Sequence, residues 1–285
     1  MEVKPEVSMN KDKFNLSNKT ALITGSSGLL GYQHSLALLD SGSDIVLTDI
    51  DERTIEDIRI SLQKIYPKNS IYSFVMDVTN KEQIQEVNKE LLSNGVEIDI
   101  LINNAAIDPK VTNGDDLDKN SRLENFSLEQ WNIECAVGLT GAFLCSQVFG
   151  SYMAKRNKGG VILNIASDLS VIAPDQRLYE KEGLSDEEQP VKPITYSVIK
   201  SGLVGLTKYL STYWSRQGIR CNALSPGGIY LDQSEEFVKK IESLIPLGRM
   251  ATSDEYRSTV QYLCSDASAY LNGQNIVVDG GRSVL

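Results

Sequence analysis

Short runs of apolar, largely β-branched residues alternate along this chain with longer stretches in which apolar positions recur every three or four residues. The runs are Lys19–Thr24, Asp44–Thr48, Ile71–Met76, Ile98–Ile102, Gly160–Ala166, Gly218–Leu224 and Asn275–Val278. Several are apolar almost throughout, as expected of strands covered on both faces; a strand wetted on one side would alternate with polar residues. The stretches between them predict helices from Leu29 to Leu39, over 52–65 and 80–94, from Ser127 to about Arg156, and over 196–216, 234–245 and 254–265. Ser127-Leu128-Glu129-Gln130 has the form of a capping box. Strands and helices in strict alternation, with connections long enough for crossovers, predict an α/β fold: a doubly wound, parallel, seven-stranded sheet with helices on both faces.

Residues 1–17 form a polar extension, and nothing in the Pro or Gly spacing of 18–285 suggests a linker, so a single domain is expected there. Residues 107–125 and the charged, Pro-containing stretch after Ser167 are expected as solvated loops. A small amphipathic segment over about 230–247 sits where a substrate lid would.

Chemistry enters at the ends of the strands. The first ends in Gly25-Ser26-Ser27-Gly28-Leu29-Leu30-Gly31 and runs straight into a helix. Strand, glycine turn and helix in that order make a phosphate cradle, because backbone N–H groups at a helix start face the anion and missing side chains let it approach. The second strand ends at Asp49, with Ile50 beside it. A carboxylate there accepts hydrogen bonds from a ribose diol and repels a 2′-phosphate, which favours NAD(H) over NADP(H). Asp51 is a rival for that role, and either aspartate could instead cap the helix that begins near Glu52.

In the helix after the fifth strand, Tyr196 and Lys200 lie four residues apart and therefore on one face. A fixed positive charge beside a phenol favours the phenolate and brings its titration toward neutrality, where it can exchange a proton with an alcohol or carbonyl. Ser167 stands at the carboxyl end of the fifth strand, on the edge where open α/β sheets bind ligands. Arg177, further on, is either a contact for an anionic substrate group or an ordinary surface arginine, the commoner role.

With 28 Lys+Arg against 38 Asp+Glu the net charge is -10, which gives no attraction to nucleic acid or to anionic membranes. The polar N-terminus and the lack of a run of eighteen apolar residues point to the cytoplasm. Cys135, Cys145, Cys221 and Cys264 show no metal-ligand spacing, and with His34 as the sole histidine no metal site is expected. His34 itself is expected to be a packing or surface residue. Small residues at helical spacing, Ala136, Gly138, Gly141, Ala142, Ser146, Gly150 and Ala154 in one helix and Ser197, Ser201, Gly202 and Gly205 in another, allow close helix packing. That packing could lie within the subunit or across a two-fold axis, and a homodimer or homotetramer through 127–156 and 196–216 is expected.

Taken together, Thr24-Gly25 with Gly28 and Gly31, Asp77-Val78, Asn103-Asn104-Ala105-Ala106, Asn164-Ile165-Ala166-Ser167, Tyr196-x-x-x-Lys200, Arg220-Cys221-Asn222-Ala223, Ser225-Pro226-Gly227 and Asp279-Gly280-Gly281 resemble the short-chain dehydrogenase/reductase family over about residues 17–281. The resemblance implies a Rossmann fold that binds NAD(P) along the carboxyl edge of the sheet and exchanges hydride between nicotinamide and a small-molecule alcohol or ketone. It implies Tyr196 as acid/base, Lys200 as its modulator and ribose contact, and Ser167 as hydrogen-bond partner of the reacting oxygen. It also places Asp77 and Val78 at the adenine, Asn104, Ala105 and Ala106 along the cofactor, and Pro226, Gly227, Gly228 and Ile229 beside the carboxamide.

Three departures stand out. Gly138 replaces the asparagine that in the family helps hold a proton-relaying water. The glycines are spaced three and three, as in the sugar-nucleotide epimerase branch. An insertion over about 174–192 separates Ser167 from Tyr196. This insertion, the glycine turn and Ala166-Ser167-Asp168-Leu169 to Ala173-Pro174-Asp175-Gln176-Arg177 are similar to bacterial members associated with flagellin modification and surface-polysaccharide sugars. That finer likeness implies a phosphorylated or nucleotide-linked sugar as substrate, with Arg177 at its phosphate. Two alternatives follow from the departures: an epimerase or dehydratase that retains its NAD, and a redox-sensing protein that binds NAD without chemistry.

Overall fold

Seven strands, β1 (Thr20–Thr24), β2 (Asp44–Asp49), β3 (Ile71–Val75), β4 (Ile100–Asn103), β5 (Gly160–Ile165), β6 (Ile219–Pro226) and β7 (Asn275–Val278), form one sheet in the order β3-β2-β1-β4-β5-β6-β7. Every neighbouring pair is parallel. The structure is a computed structural model and describes residues 12–107 and 121–285; the rest of the polar extension and of the loop expected over 107–125 lies outside the described residues.

Alternation along each strand sorts its side chains between two apolar layers. Ala21 and Ile23, Ile45 and Leu47, and Ile100 and Ile102 enter one layer, whereas Leu22, Val46 and Leu101 enter the other. The first layer is closed by α1 (Leu29–Asp40), α2 (Glu52–Ile65) and α7 (Arg257–Cys264), through Leu36, Ile55, Leu62, Val260 and Leu263. The second is closed by α3 (Lys81–Ser93), a long helix α4 (Leu128–Arg156) and α5 (Ile194–Tyr213), through Ile84, Leu91, Phe149, Met153 and Leu210. Burial on both faces is the physical reason the strands read as apolar almost throughout.

Side-chain caps fix the helix starts. Asp51 accepts the Thr54 N–H, Asn80 that of Gln83 and Ser127 that of Gln130. The capping box is half made, because the Gln130 side chain turns away to donate to Glu134 Oε1 at 2.6 Å.

α4 is interrupted by two π-turns, Ala136–Thr140 and Ser146–Gly150. By length and composition it could cross a membrane, unlike the sequence expectation, yet Cys145, Phe149 and Met153 bury its apolar face against the sheet. Its glycines pack inside the subunit. A β-carbon on Gly138 would meet Ile199 at 2.8 Å, one on Gly141 would meet Val78 at 2.7 Å and one on Gly150 would meet Trp214 at 2.5 Å. Internal packing therefore accounts for the glycines of α4, whereas Gly205 of α5 has no neighbour within 4 Å of the place a β-carbon would take.

The insertion is more than a solvated loop. A 3₁₀ turn, Gln176–Tyr179, buries Leu178 against Ile241, Ile245 and Met250 of the lid region, whose helix α6 spans Glu235–Glu242. Tyr179 meets Phe237 ring to ring at 5.9 Å, and Lys240 Nζ donates to the Glu180 carbonyl at 3.0 Å. Insertion and lid share one satellite core.

Candidate active site

The turn after β1 sits at the switch point of the sheet, where β1 and β4 are neighbours and the chain winds outward in both directions. Gly25 adopts φ +62°, and a β-carbon there would stand 2.8 Å from Ala105 Cα. Gly31 is tighter, since its β-carbon would lie 2.2 Å from the Gly25 carbonyl oxygen, so only glycine lets α1 start this close to the strand. Gly28 caps α1 with no side chain, which leaves the first N–H groups of the helix without a side-chain acceptor. Thr24 Oγ1 accepts the N–H groups of Asn104 and Ala105, each at 3.0 Å, and the Asn104 amide donates to the carbonyls of Thr24 and Gly25. The end of β4 thereby fixes the glycine turn.

At the end of β2 the two rival aspartates separate. Asp51 is the cap of α2, and hydrogen bonds from the Thr54 side chain and N–H hold its carboxyl below the ordinary range. Asp49 faces back toward the glycine turn: its Oδ2 accepts the Ser27 N–H at 3.0 Å and its Oδ1 the Ile50 N–H at 2.8 Å. Asp77, at the end of β3, accepts both the N–H and the hydroxyl of Thr79 at 2.8 Å.

Past β5, Ser167 Oγ donates to Asp168 Oδ1 at 2.9 Å and accepts the Leu169 N–H at 3.2 Å. Asp168 Oδ2 is paired with Arg282 Nη1 at 2.7 Å, and both side chains are buried. On α5 the four-residue spacing places Lys200 Nζ 5.6 Å from the centre of the Tyr196 ring. Lys200 is buried and donates to the Ile165 carbonyl at 2.9 Å. A second cation, Lys192 of the insertion, stands 3.9 Å from the same ring centre. Two ammonium groups thus flank one phenol ring.

One cleft of about 1150 Å³ joins these groups along the carboxyl edge of the sheet. Gly25, Ser27, Gly28, Leu29, Leu30, Asp49, Ile50, Asp77 and Val78 line it toward one end, and Asn104, Ala105 and Ala106 line it at the β4 edge. Ser167, Tyr196, Lys200 and Pro226 to Ile229 line the other end. Gly31 lies behind the wall and serves packing. Arg177 is not on the wall: it is largely exposed and paired with Asp175 at 2.6 Å, because Asp175 caps the same 3₁₀ turn. Besides Lys200, the cations among the described residues on the wall are Lys192 and Arg282, neither of which the spacing singled out. Asp168 was legible as the neighbour of Ser167; Arg282 had no local signal, since it reaches the site by a contact across more than a hundred residues.

His34 is fully buried in α1, neither ring nitrogen has a hydrogen-bond partner, and desolvation pushes its pKa down to about 3. It is a packing residue. All four cysteines are free thiols, and burial pushes those of Cys145, Cys221 and Cys264 up to about 12. Among the described residues no cluster of His, Cys, Asp and Glu could hold a metal ion.

Comparison with known proteins agrees with this geometry. Residues 19–179 match the model of the short chain dehydrogenase family, and 185–283 match one described as enoyl-(acyl carrier protein) reductase. The 2-dehydro-3-deoxy-D-gluconate 5-dehydrogenase of Bacillus subtilis is 32% identical over 95% of this chain and 96% of its own. A short-chain dehydrogenase of Leptospira borgpetersenii, solved with bound NAD+, is 29% identical and superposes with a TM-score of 0.82, covering 99% of this chain and 100% of that one. A gluconate 5-dehydrogenase of Burkholderia cenocepacia, solved with NADP and tartrate, is 27% identical with a TM-score of 0.82, covering 96% and 98%. This chain belongs to the short-chain dehydrogenase/reductase family, the NAD(P)-dependent oxidoreductases of CH–OH donors.

Proposed function

We propose that the protein is an NAD(H)-dependent dehydrogenase or reductase that interconverts a secondary alcohol and a ketone on a sugar bearing a phosphate or nucleotide. The observation that carries this reading is the shared wall of the cleft: Tyr196, Lys200 and Ser167 stand at one end and the glycine turn and Asp49 at the other. The residues suit a dinucleotide. The uncapped start of α1 offers N–H donors to a pyrophosphate, the close approach of Gly31 to Gly25 keeps that start near the sheet, and Asp49 offers acceptors to a ribose diol. When bound, the nicotinamide supplies the two-electron exchange.

In the oxidative direction Tyr196 takes the hydroxyl proton, helped by the positive charges of Lys200 and Lys192. Ser167 holds the substrate oxygen. Its own proton now points to Asp168, so it either accepts from the alcohol as it stands or rotates to donate to the ketone. Lys192 and Arg282 give the substrate end a cationic character suited to a phosphorylated group, and the joint core of insertion and lid covers that end.

The exposed apolar residues Phe143, Val198, Tyr209 and Tyr213 lie on α4 and α5. They support contact with another copy of the chain through these helices. The net charge of -10 keeps nucleic acid and anionic membranes out of the reading, and reduced thiols suit the cytoplasm.

The test is a screen of sugar phosphates, nucleotide sugars, sugar acids and polyols for NADH formation, run beside Tyr196→Phe. The substitution should leave NADH binding intact and lower turnover on the order of 10²-fold or more. Near-full turnover of Tyr196→Phe on any substrate found would overturn the assignment.

A further inference from the structure

Glu134 is a buried carboxylate to which the proposed chemistry gives no part. It is 2% exposed, on α4, one turn before Gly138. Its Oε1 accepts the Gln130 amide at 2.6 Å, and its Oε2 accepts a short hydrogen bond from the hydroxyl of Thr195. Thr195 is fully buried and immediately precedes Tyr196.

The two helices run side by side in a fixed register. Glu134 meets Thr195, Gly138 meets Ile199 one turn on, and Ala142 and Leu203 share a hydrophobic cluster one turn further. Of these three steps only the first is polar, and it falls at the start of the catalytic helix. That start has no side-chain cap of its own, since Pro193 occupies the cap position. A carboxylate near the first N–H groups of α5 complements their partial positive charge. Both carboxylate oxygens accept, whereas a glutamine in this place could keep the bond from Gln130 only if its NH2 turned to donate to the Thr195 hydroxyl.

We propose that Glu134 is a positioning residue for Tyr196: from α4 it anchors the first turn of α5 through Thr195 and brings a carboxylate to the start of the helix that carries the phenol. The inference rests on the reading of Tyr196 as the acid/base. The charged groups that share the cleft wall with Tyr196 are Lys192, Lys200, Asp168 and Arg282, and toward the far end Asp49, Asp51 and Asp77. Glu134 adds the one described carboxylate from the α4 side that is bonded to the first turn of α5.

The experiment needs no substrate. Tyrosines carrying ¹³C at Cζ are titrated by NMR in the full-length protein, and the Tyr196 signal is identified by its loss in Tyr196→Phe. Removing a nearby negative charge eases ionisation of a phenol, so Glu134→Gln should move the Tyr196 midpoint to lower pH by about half a unit or more. Thr195→Val should speed amide exchange in the first turn of α5 on the order of tenfold, and Thr195→Ser, which keeps the hydroxyl, should restore it. Because Thr195→Ser keeps the hydroxyl, and Glu134→Gln keeps one accepting oxygen and an NH2 able to donate to that hydroxyl, the test stands even where Thr195→Val folds poorly. Parental behaviour of Glu134→Gln, or exchange in Thr195→Ser no slower than in Thr195→Val, overturns the proposal. Should Tyr196→Phe retain turnover while these shifts appear, the anchor stands and the catalytic reading falls.

Discussion

Gly138 of α4 and Ile199 of α5 share one space: a β-carbon on Gly138 would stand 2.8 Å from Ile199 Cγ2. The asparagine that the family resemblance leads one to expect here has no room, because the isoleucine beside Lys200 already fills the site. Gly138→Asn should therefore destabilise the fold by about 1–3 kcal/mol through overpacking. Gly138→Asn combined with Ile199→Ala should recover much of that loss, since the second change vacates the volume the first requires. Urea unfolding of the two variants decides the matter, and a single variant as stable as the parent would show that the helices part easily.

The ion pair of Asp168 and Arg282 ties the last 3₁₀ turn to Ser167, with both side chains buried and Ser167 donating to the other carboxylate oxygen. Arg282→Met leaves a buried carboxylate without its counter-charge and should lower stability by about 3–5 kcal/mol. Asp168→Asn combined with Arg282→Met removes both charges and should unfold later in urea than Arg282→Met alone. Equal midpoints for the two proteins would mean that Asp168 finds another partner.

How far the sequence carried can be read from these residues. The strands were legible because burial on both faces makes them apolar almost throughout; Ser167 and Asp49 were picked out by the strand ends they close, and Tyr196 and Lys200 by their four-residue spacing on one helix. Of the two roles open to Arg177 the structure fits the surface one, because closeness along the chain to Ser167 says nothing about direction and a local bond to Asp175 turns it outward. Lys192 and Arg282 reach the cleft by tertiary contacts with no periodic signal. The glycines of α4 fitted an interface and an internal seam alike until Ile199, Val78 and Trp214 were placed against them.

His34 predicts a pH dependence of stability. In the fold, burial holds its pKa at about 3, far below the ordinary 6.5, so the folded protein resists protonation while the unfolded chain accepts it. Stability from this residue is fully present above 6.5 and falls as pH drops from there toward 3, by up to about 1.4 kcal/mol per pH unit. Glu56 and Glu255, each held at about 2 chiefly by a side-chain hydrogen bond from arginine, add their losses only below their ordinary 4.5. Between those values His34 acts ahead of them. Urea unfolding of His34→Leu at pH 6.5 and pH 5 should show a flatter dependence than the parent, and an unchanged slope would assign the loss elsewhere.

Two aspartates two residues apart have separate duties, and the proposed NADH preference is expected to depend on one of them. Asp51 is engaged by Thr54 as the cap of α2, whereas Asp49 is held by the N–H groups of Ser27 and Ile50 on the cleft wall. Held this way, Asp49 can only accept, which suits a ribose diol and opposes a 2′-phosphate. The parent should bind NADH more tightly than NADPH. Asp49→Asn keeps an acceptor for Ser27 but removes the charge, and should move the ratio of the two affinities toward NADPH by about tenfold. Asp51→Ala should cost about 1 kcal/mol in helix capping and leave that ratio where it was. Fluorescence titration of both cofactors into the three proteins separates the roles; equal affinities in the parent, or a ratio that responds to Asp51 and not to Asp49, would transfer the discrimination to the other aspartate or away from this strand end altogether.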